Sequence, residues 1–313
     1  MGTIPDRIRI ATRESQLALR QTHMVAAALR ERHPEMAVEI VGMTTLGDRV
    51  LDRPLAEVGG KGLFVKELEV ALREDRADIA VHSMKDVPME VAPDFALTTF
   101  GAREEPLDAF VSVGYATLDE MPAGAVVGTS SLRRECQLRR AYPALSFRAL
   151  RGNVNTRLAK LDRGEYDAII LAVAGLRRLG LAERVRAIVP EAISLPAIAQ
   201  GILAIEFLAS RPGIGAVLAA FEQPATAVSA RAERALGRVV EGSCDVPLGA
   251  LARVSAGIVG LEAFLGLPDG TRIVRESASG TADRAEALGT GLGERLLAAG
   301  GREILDALAA RAA

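Results

Sequence analysis

Asp78-Ile79-Ala80-Val81-His82-Ser83-Met84-Lys85-Asp86-Val87-Pro88 decides how the first third of this chain is read. Ile79 to Val81 is a short apolar run, the pattern of a strand buried on both faces of a parallel sheet. It ends in four polar side chains within five positions, His82, Ser83, Lys85 and Asp86. Pro88 blocks continuation of the strand and biases Val87 to an extended backbone. Ligands of open α/β sheets sit beyond the carboxyl ends of the strands. Asp86 is therefore a candidate for chemistry, against the blander alternative that it pairs with Lys85 or caps a turn.

The segments before it fit such a sheet. Arg7 to Thr12 alternates and reads as a strand, with Ile8 and Ile10 on one face. Ser15 is a good N-cap for a helix over Gln16 to Arg32, ended before Pro34. Val38 to Thr44 is a second strand, Leu46 to Gly60 a loop, and Leu63 to Arg73 an amphipathic helix. The order strand–helix–strand–helix–strand implies a right-handed, mostly parallel α/β unit. Gly59-Gly60-Lys61-Gly62 invites a phosphate-loop reading, which fails because no Ser or Thr follows the Lys.

Near Thr98 to Pro106 the pattern breaks, and a second α/β unit runs from about Leu107 to Leu195. Its strands are Ala109–Val113, Val126–Thr129, Leu145–Leu150 and Tyr166–Val173; its helices are Ser131–Ala141 and Val154–Leu161. Gly201 to Phe207 reads as one more strand. Crossings near 101 and 200 predict that the chain visits a second domain and returns. The expected first domain is residues 1–101 with 200–221, and the second is 102–199, with a cleft and a double hinge between them. Residues 222–313 read as a small α+β domain. It has a helix over Ala227–Val239, strands within Leu248–Val274 about a Pro268-Asp269-Gly270 turn, and helices over Arg284–Leu297 and Arg302–Arg311.

Composition excludes several classes. No run of eighteen apolar residues exists, so no transmembrane helix is expected. Charges interrupt every apolar run near the N-terminus, and two cysteines are too few for a disulfide scaffold, so the cytoplasm is the expected compartment. Three histidines and two cysteines, all scattered, offer no metal cluster of recognisable spacing.

Charge is informative locally. Thr129 to Lys160 holds eight basic residues and one acidic, in a chain of net charge −2. Thr12-Arg13-Glu14-Ser15, Thr129-Ser130-Ser131-Leu132-Arg133-Arg134 and Arg151-Gly152-Asn153-Val154-Asn155-Thr156-Arg157 share one layout. In each a strand meets a helix N-terminus with hydroxyls or amides plus Arg. Helix N-termini and arginines both favour anions. One such junction is an ordinary capped helix; three suggest a site for a small molecule with several carboxylates or phosphates. Only Tyr142 and Phe147 interleave with the basic residues, so stacking platforms for nucleic acid are scarce. Cys136, four residues after Leu132, reads as core. Cys244 sits in a Gly-Ser-Cys-Asp turn and stands evenly between a reactive thiol and a bystander.

These motifs together resemble the porphobilinogen deaminase (hydroxymethylbilane synthase) family over essentially the whole chain. The resemblance is carried by Ile10-Ala11-Thr12-Arg13 with Ser15, Val58-Gly59-Gly60-Lys61-Gly62-Leu63-Phe64, Ala80 to Pro88, Gly128 to Arg134, Leu150 to Val154, Leu195-Pro196 with Gln200-Gly201, and Gly242-Ser243-Cys244-Asp245-Val246-Pro247. It implies two periplasmic-binding-protein-like α/β domains plus a C-terminal domain bearing a dipyrromethane cofactor, joined to Cys244 as a thioether. It implies stepwise head-to-tail condensation of four porphobilinogen units with loss of ammonia, then hydrolytic release of hydroxymethylbilane. Asp86 would be the catalytic carboxylate, stabilising a cationic methylene-pyrrolenine. Lys85, Arg133, Arg134, Ser131, Ser83, Thr129 and Gly152 would hold the cofactor with Cys244. Arg13, Ser15, Arg151, Arg157, Arg178, Lys61 and Gln200 would hold substrate. The implied partner is the small molecule alone, with no nucleic acid and no membrane, and the implied state is a monomer. Asp245 and Glu57 depart from the family's commoner residues. Two rival readings remain open on the residues alone: a non-catalytic anion-binding protein, and a thiol enzyme with Cys244 as nucleophile and His82 as base.

Overall fold

In the computed structural model, which describes residues 5–45, 62, 65–240 and 246–312, the chain forms two units. One is Met1–Glu104 with Ile202–Ala227, the other Glu105–Gly201 with Val228–Ala313. Glu57, Lys61, Phe64, Cys244 and Asp245 lie outside the described residues.

The first unit begins with β1 (Arg7–Arg13), α1 (Gln16–Arg32) and β2 (Ala37–Met43). Ser15 caps α1 by accepting the Ala18 N–H, and Ala18, Gln21, Thr22, Val25, Ala26 and Leu29 form its buried stripe. After α2 (Lys66–Arg73), β3 (Ile79–Ser83) enters the sheet beside β1, with Ile10 opposite Ile79. Asp78 fixes that entry: its Oδ2 accepts from the Arg9 backbone N–H at 2.7 Å and from Arg9 Nε at 2.9 Å. β4 (Phe95–Phe100) follows, a strand running into the stretch from Thr98 where the pattern was expected to break. Both hydroxyls donate to Glu222 Oε2 instead, so polar residues complete this strand rather than ending it.

The second unit opens with β5 (Asp108–Ser112), β6 (Val126–Gly128), α3 (Leu132–Ala141), β7 (Ser146–Arg148), α4 (Val154–Asp162) and β8 (Ala168–Ala172). The apolar run read as one strand to Val173 divides there, because Val173 opens the short helix α5 (Val173–Arg178). β9 (Ala187–Val189) is a three-residue strand that the sequence did not signal. β10 (Leu203–Leu208) and the unanticipated helix α6 (Pro212–Ala219) return to the first unit. Pro212 starts α6 where a missing N–H costs nothing. α7 (Pro224–Val239), β11 (Leu248–Ser255), β12 (Ile258–Gly266), β13 (Ile273–Thr281), α8 (Ala285–Leu296) and α9 (Arg302–Ala312) complete the chain.

Both five-stranded sheets follow one plan, β2-β1-β3-β10-β4 and β7-β6-β8-β5-β9. In each, four strands run one way and a single strand, β10 or β5, runs against its two neighbours. Each reversed strand is the first in its unit after the chain has crossed from the other. The sheets are thus mixed α/β, with parallel pairing confined to the strands linked by helices. In the first unit, Ile8, Ile10, Ile79, Val81 and Ile205 pack against Val25, Ala26 and Leu29 of α1 on one face. Ala11 and Ala80 meet Leu68, Ala71 and Leu72 of α2 on the other. The third sheet, β11-β12-β13, is an antiparallel meander, turned at Pro268-Asp269-Gly270 and forming an α+β layer with α7 and α8.

Candidate active site

Parallel neighbours end at the same edge, so β1 and β3 deliver their last residues together. Beyond β3, Met84–Asp86 forms a single tight turn: Met84 N–H donates to Ile202 O at 3.0 Å and Val87 N–H to Met84 O at 3.1 Å. The turn buries Met84 and Val87 and leaves Asp86 exposed. A pocket opens there, lined by Arg13, Ser15, Gln21, His82, Ser83 and Asp86, with apolar residues of α1 and β3 behind them. Arg13, Ser15 and Ser83, predicted from separate motifs, thus converge with Asp86. Lys85, next to Asp86 in the turn, is half-buried and itself engaged. The sequence reading missed Gln21. Its Nε2 donates to Ser83 Oγ at 2.9 Å, and its only signal was an amide in the buried stripe of α1.

The arginine pair at the start of α3 is arranged differently from expectation. Ser131 caps the helix by accepting the Arg134 N–H. Arg133 and Arg134 then point inward onto Asp108, which is 0% exposed. Arg133 Nη1 lies 2.9 Å from Asp108 Oδ2, and Arg134 Nη2 lies 2.8 Å from Oδ1. Gln200 Nε2 donates to the same Oδ1 at 2.9 Å and to Pro106 O at 2.6 Å. Ser194 donates to Oδ2 at 3.2 Å, and Arg133 Nη1 donates to Leu195 O at 2.6 Å. Arg133, Arg134 and Gln200 had read as groups facing a ligand; their polar ends are instead largely committed to a buried carboxylate. The cluster nevertheless carries two cations against one anion. Arg134 Nε is buried without a partner among the described residues, a donor left over.

The basic stretch is thinned elsewhere too. Arg139 pairs with Glu135 at 2.8 Å and lies over the Phe147 ring, and Arg148 lies over Tyr166. What persists is at the helix starts. Thr129 Oγ1 accepts from Ser131 N–H, and Ser130 Oγ donates to Leu150 O, tying the ends of β6 and β7 together. Asn153 caps α4 through the Thr156 N–H at 2.9 Å. Gly152 has φ +111°, and a Cβ there would lie 2.7 Å from the Thr156 methyl carbon, so the Arg151-Gly152-Asn153 turn requires glycine. Arg157 Nε donates to Gly152 O and Arg178 Nη2 to Gly201 O. Arg151 is half-buried at that turn. Cys136 is 0% exposed in the core with Leu195, Leu251 and Phe264, and burial pushes its thiol up to about 12.

Comparison with known proteins gives a consistent result. Residues 8–215 match the family model for the porphobilinogen deaminase dipyromethane cofactor binding domain, and residues 227–298 match that for the porphobilinogen deaminase C-terminal domain. A porphobilinogen deaminase of Thiobacillus denitrificans is 54% identical over 303 residues, covering 97% of this chain and 99% of the relative. Among solved structures, the methionine binding protein MetQ covers 73% of this chain and 95% of its own, at 13% identity and a TM-score of 0.45. A methionine-bound nutrient binding protein from Burkholderia cenocepacia covers 69% and 92%, at 12% identity and a TM-score of 0.43.

Proposed function

This chain belongs to the porphobilinogen deaminase family, and from that premise we propose that Asp86 is its catalytic carboxylate and Cys244 the anchor of its cofactor. The protein is a transferase of tetrapyrrole biosynthesis: it condenses four porphobilinogen units head to tail with loss of ammonia and releases hydroxymethylbilane. Its cofactor is a dipyrromethane.

The observation that carries the assignment of Asp86 is its place in the pocket with Arg13, Ser15 and Ser83. A pyrrole that sheds ammonia becomes cationic, and a fixed carboxylate beside it lowers the energy of that charge. Arg13 offers a fork for the substrate's acetate or propionate arm, and Ser15 and Ser83 offer hydroxyls. Held by its arms, the ring presents its reacting edge to Asp86. In the second unit the residues suit a polycarboxylate cofactor. Two buried arginines exceed one buried aspartate, the Arg134 Nε–H has no partner among the described residues, and α3 and α4 turn their N-termini, whose dipoles favour anions, to this side. Arg133, Arg134, Ser131, Thr129 and Gly152, with Lys85 and Ser83, would hold that group. Arg151, Arg157, Arg178 and Lys61 would serve the incoming substrate with Arg13 and Ser15. When bound, the cofactor supplies the starting point on which the chain is extended.

The reading includes a monomer working in the cytoplasm. No helix among the described residues is long and apolar enough to cross a membrane.

Asp86→Asn tests the central assignment. Intact-mass measurement should still find one dipyrromethane on the protein, mapped by peptide to Cys244, while turnover falls about a hundred- to a thousandfold. Near-full turnover removes Asp86 from its role, and an active protein without the adduct removes Cys244.

A further inference from the structure

The buried stripe of α1 carries two polar side chains in succession, Gln21 and Thr22, at 3% and 0% exposure. A buried amide or hydroxyl is costly unless it is hydrogen-bonded. Each of these reaches the end of a strand. Thr22 Oγ1 donates to Thr12 Oγ1 at 2.7 Å, next to Arg13, and that pair is closed off in the core. Gln21 Nε2 donates to Ser83 Oγ at 2.9 Å. Strand alternation leaves Val81 and Ser83 on the α1 face of β3 and sends His82 to the other face, against Glu206. Ser83 is only half-buried, and it lines the Asp86 pocket together with Gln21. The threonine pair therefore only fastens α1 to β1, whereas the Gln21–Ser83 pair has an open side.

The direction of the hydroxyl follows from its partners. A serine hydroxyl has one proton and two lone pairs. The Nε2–H bond occupies a lone pair, so the proton must point elsewhere. Its acceptor on α1 is Gln21 Oε1 at 3.3 Å, long for an O–H···O bond. A carboxylate in the pocket is the stronger acceptor, because an ionised partner roughly doubles such a bond. The proton then turns outward while Nε2–H keeps the oxygen in place. An ionised glutamate at position 21 would do the opposite: it can only accept, and would draw the Ser83 proton inward.

We propose that Gln21 is the positioning residue of Ser83, holding its oxygen from behind so that its proton is given to a carboxylate arm of the ring beside Asp86. This rests on the reading that the Asp86 pocket receives the reacting ring. The arm belongs to the cofactor or to the incoming porphobilinogen; both present the same group. A neutral amide suits the task. It orients the hydroxyl without adding a negative charge that would repel the arm, and without a positive one that would offset Asp86 at the cationic ring. Gln21 acts through Ser83 and not on the reacting atoms.

The test uses the holoenzyme with Gln21→Met, Ser83→Ala, the two combined, and Gln21→Glu. Gln21→Met keeps the length of the side chain and removes the donor. It should raise KM for porphobilinogen about tenfold with little change in kcat, the effect of losing one bond to a charged group that is present throughout the cycle. Ser83→Ala should do at least as much, and the double variant no more than Ser83→Ala alone, because Gln21 works only through that hydroxyl. Gln21→Glu separates orientation from packing. Burial raises its carboxyl, and the protonated acid donates to Ser83 as the amide does. The ratio of its KM to that of wild type should be largest at alkaline pH and fall as pH is lowered. Arg13, Asp86 and His82, which also line the pocket, and Lys85 beside it are common to both proteins, so the ratio isolates position 21. This comparison is made within one folded protein and stands even where Gln21→Met folds poorly. Intact mass assigns the arm: a full dipyrromethane adduct with raised KM places it on the incoming substrate, and a reduced adduct places it on the cofactor. A full adduct with wild-type KM in Gln21→Met overturns the proposal. So does a double variant in which the two KM effects multiply, or a Gln21→Glu ratio that stays flat or grows toward acid. Asp86→Asn distinguishes the two readings: if it loses turnover while the Gln21 variants behave as wild type, the Gln21 assignment alone fails; if Asp86→Asn turns over normally, the pocket assignment fails.

Discussion

Arg134 Nη2 lies 2.8 Å from Asp108 Oδ1, and neither residue is more than 6% exposed. Burial opposes the charge on Asp108, but the adjoining Arg133 and Arg134 outweigh it and hold the carboxyl far below its ordinary range. Removing the anion strands two buried guanidiniums. We expect Asp108→Ala to lose about 3–5 kcal/mol of stability, since breaking a buried ion pair costs more than the pair contributes. Urea midpoints at unchanged slope check this.

The acid limb of stability should follow from two aspartates. At Asp78, burial raises the carboxyl, but the hydrogen bonds and charge of Arg9 reverse that and leave it lowered. Asp108 is lowered as well. A carboxyl lowered on folding contributes stability that is fully present above its unfolded value, about 4. That stability is lost as pH falls through the lower folded value. Asp78→Asn should therefore be less stable than wild type at neutral pH, and the gap should close on acidification. Unfolding curves from pH 7 downward measure it; a gap that widens toward acid would contradict the assignment.

Asp86 and Asp108 show what the sequence could and could not disclose. The strand–helix junctions were legible because they are local: Ser15, Ser131 and Asn153 each cap the helix beginning at the next residue, and the periodicity of α1 spans contiguous residues. The placing of Asp86 beyond the end of β3 was legible because polar residues crowd the end of an apolar run. Asp108 was not, because one aspartate opening Asp-Ala-Phe-Val-Ser looks like any strand start, and its partners are 25, 26 and 92 residues away. Glu206, 124 residues from His82, was hidden inside an apolar strand in the same way. β9 carried too few residues for any period to register.

Glu233 makes a comparable long-range clamp. From α7 its Oε2 accepts the Ala199 N–H at 2.6 Å and its Oε1 the Ala252 N–H at 2.7 Å, all buried. Ala199 has φ +58°, a conformation disfavoured without a glycine, so its backbone must be held. Glu233→Ala leaves two buried N–H groups unpaired, at about 1–3 kcal/mol each. Loss of stability with the holoenzyme's KM unchanged is the expected outcome, since the clamp is structural.

Three glycines on α8 give a paired test of packing. Gly289 and Gly293 are four residues apart and share one face, which lies against α7. A Cβ at Gly289 would sit 2.1 Å from the Ala232 carbonyl oxygen, and one at Gly293 2.8 Å from Val239 Cβ. The obstacle at Gly289 is backbone, so no rotamer change relieves it and the two helices must separate. Gly291 points away, and a methyl group at that position would meet nothing within 4 Å. Alanine is favoured over glycine in a helix by about 1 kcal/mol wherever there is room. Gly291→Ala should therefore raise stability by about that amount. Gly289→Ala gains the same helix preference but also incurs overpacking of about 1–3 kcal/mol or more, so it should lower stability. Thermal melts of the two variants should move in opposite directions. Equal shifts would mean that the α7–α8 contact is looser than a 2.1 Å approach allows.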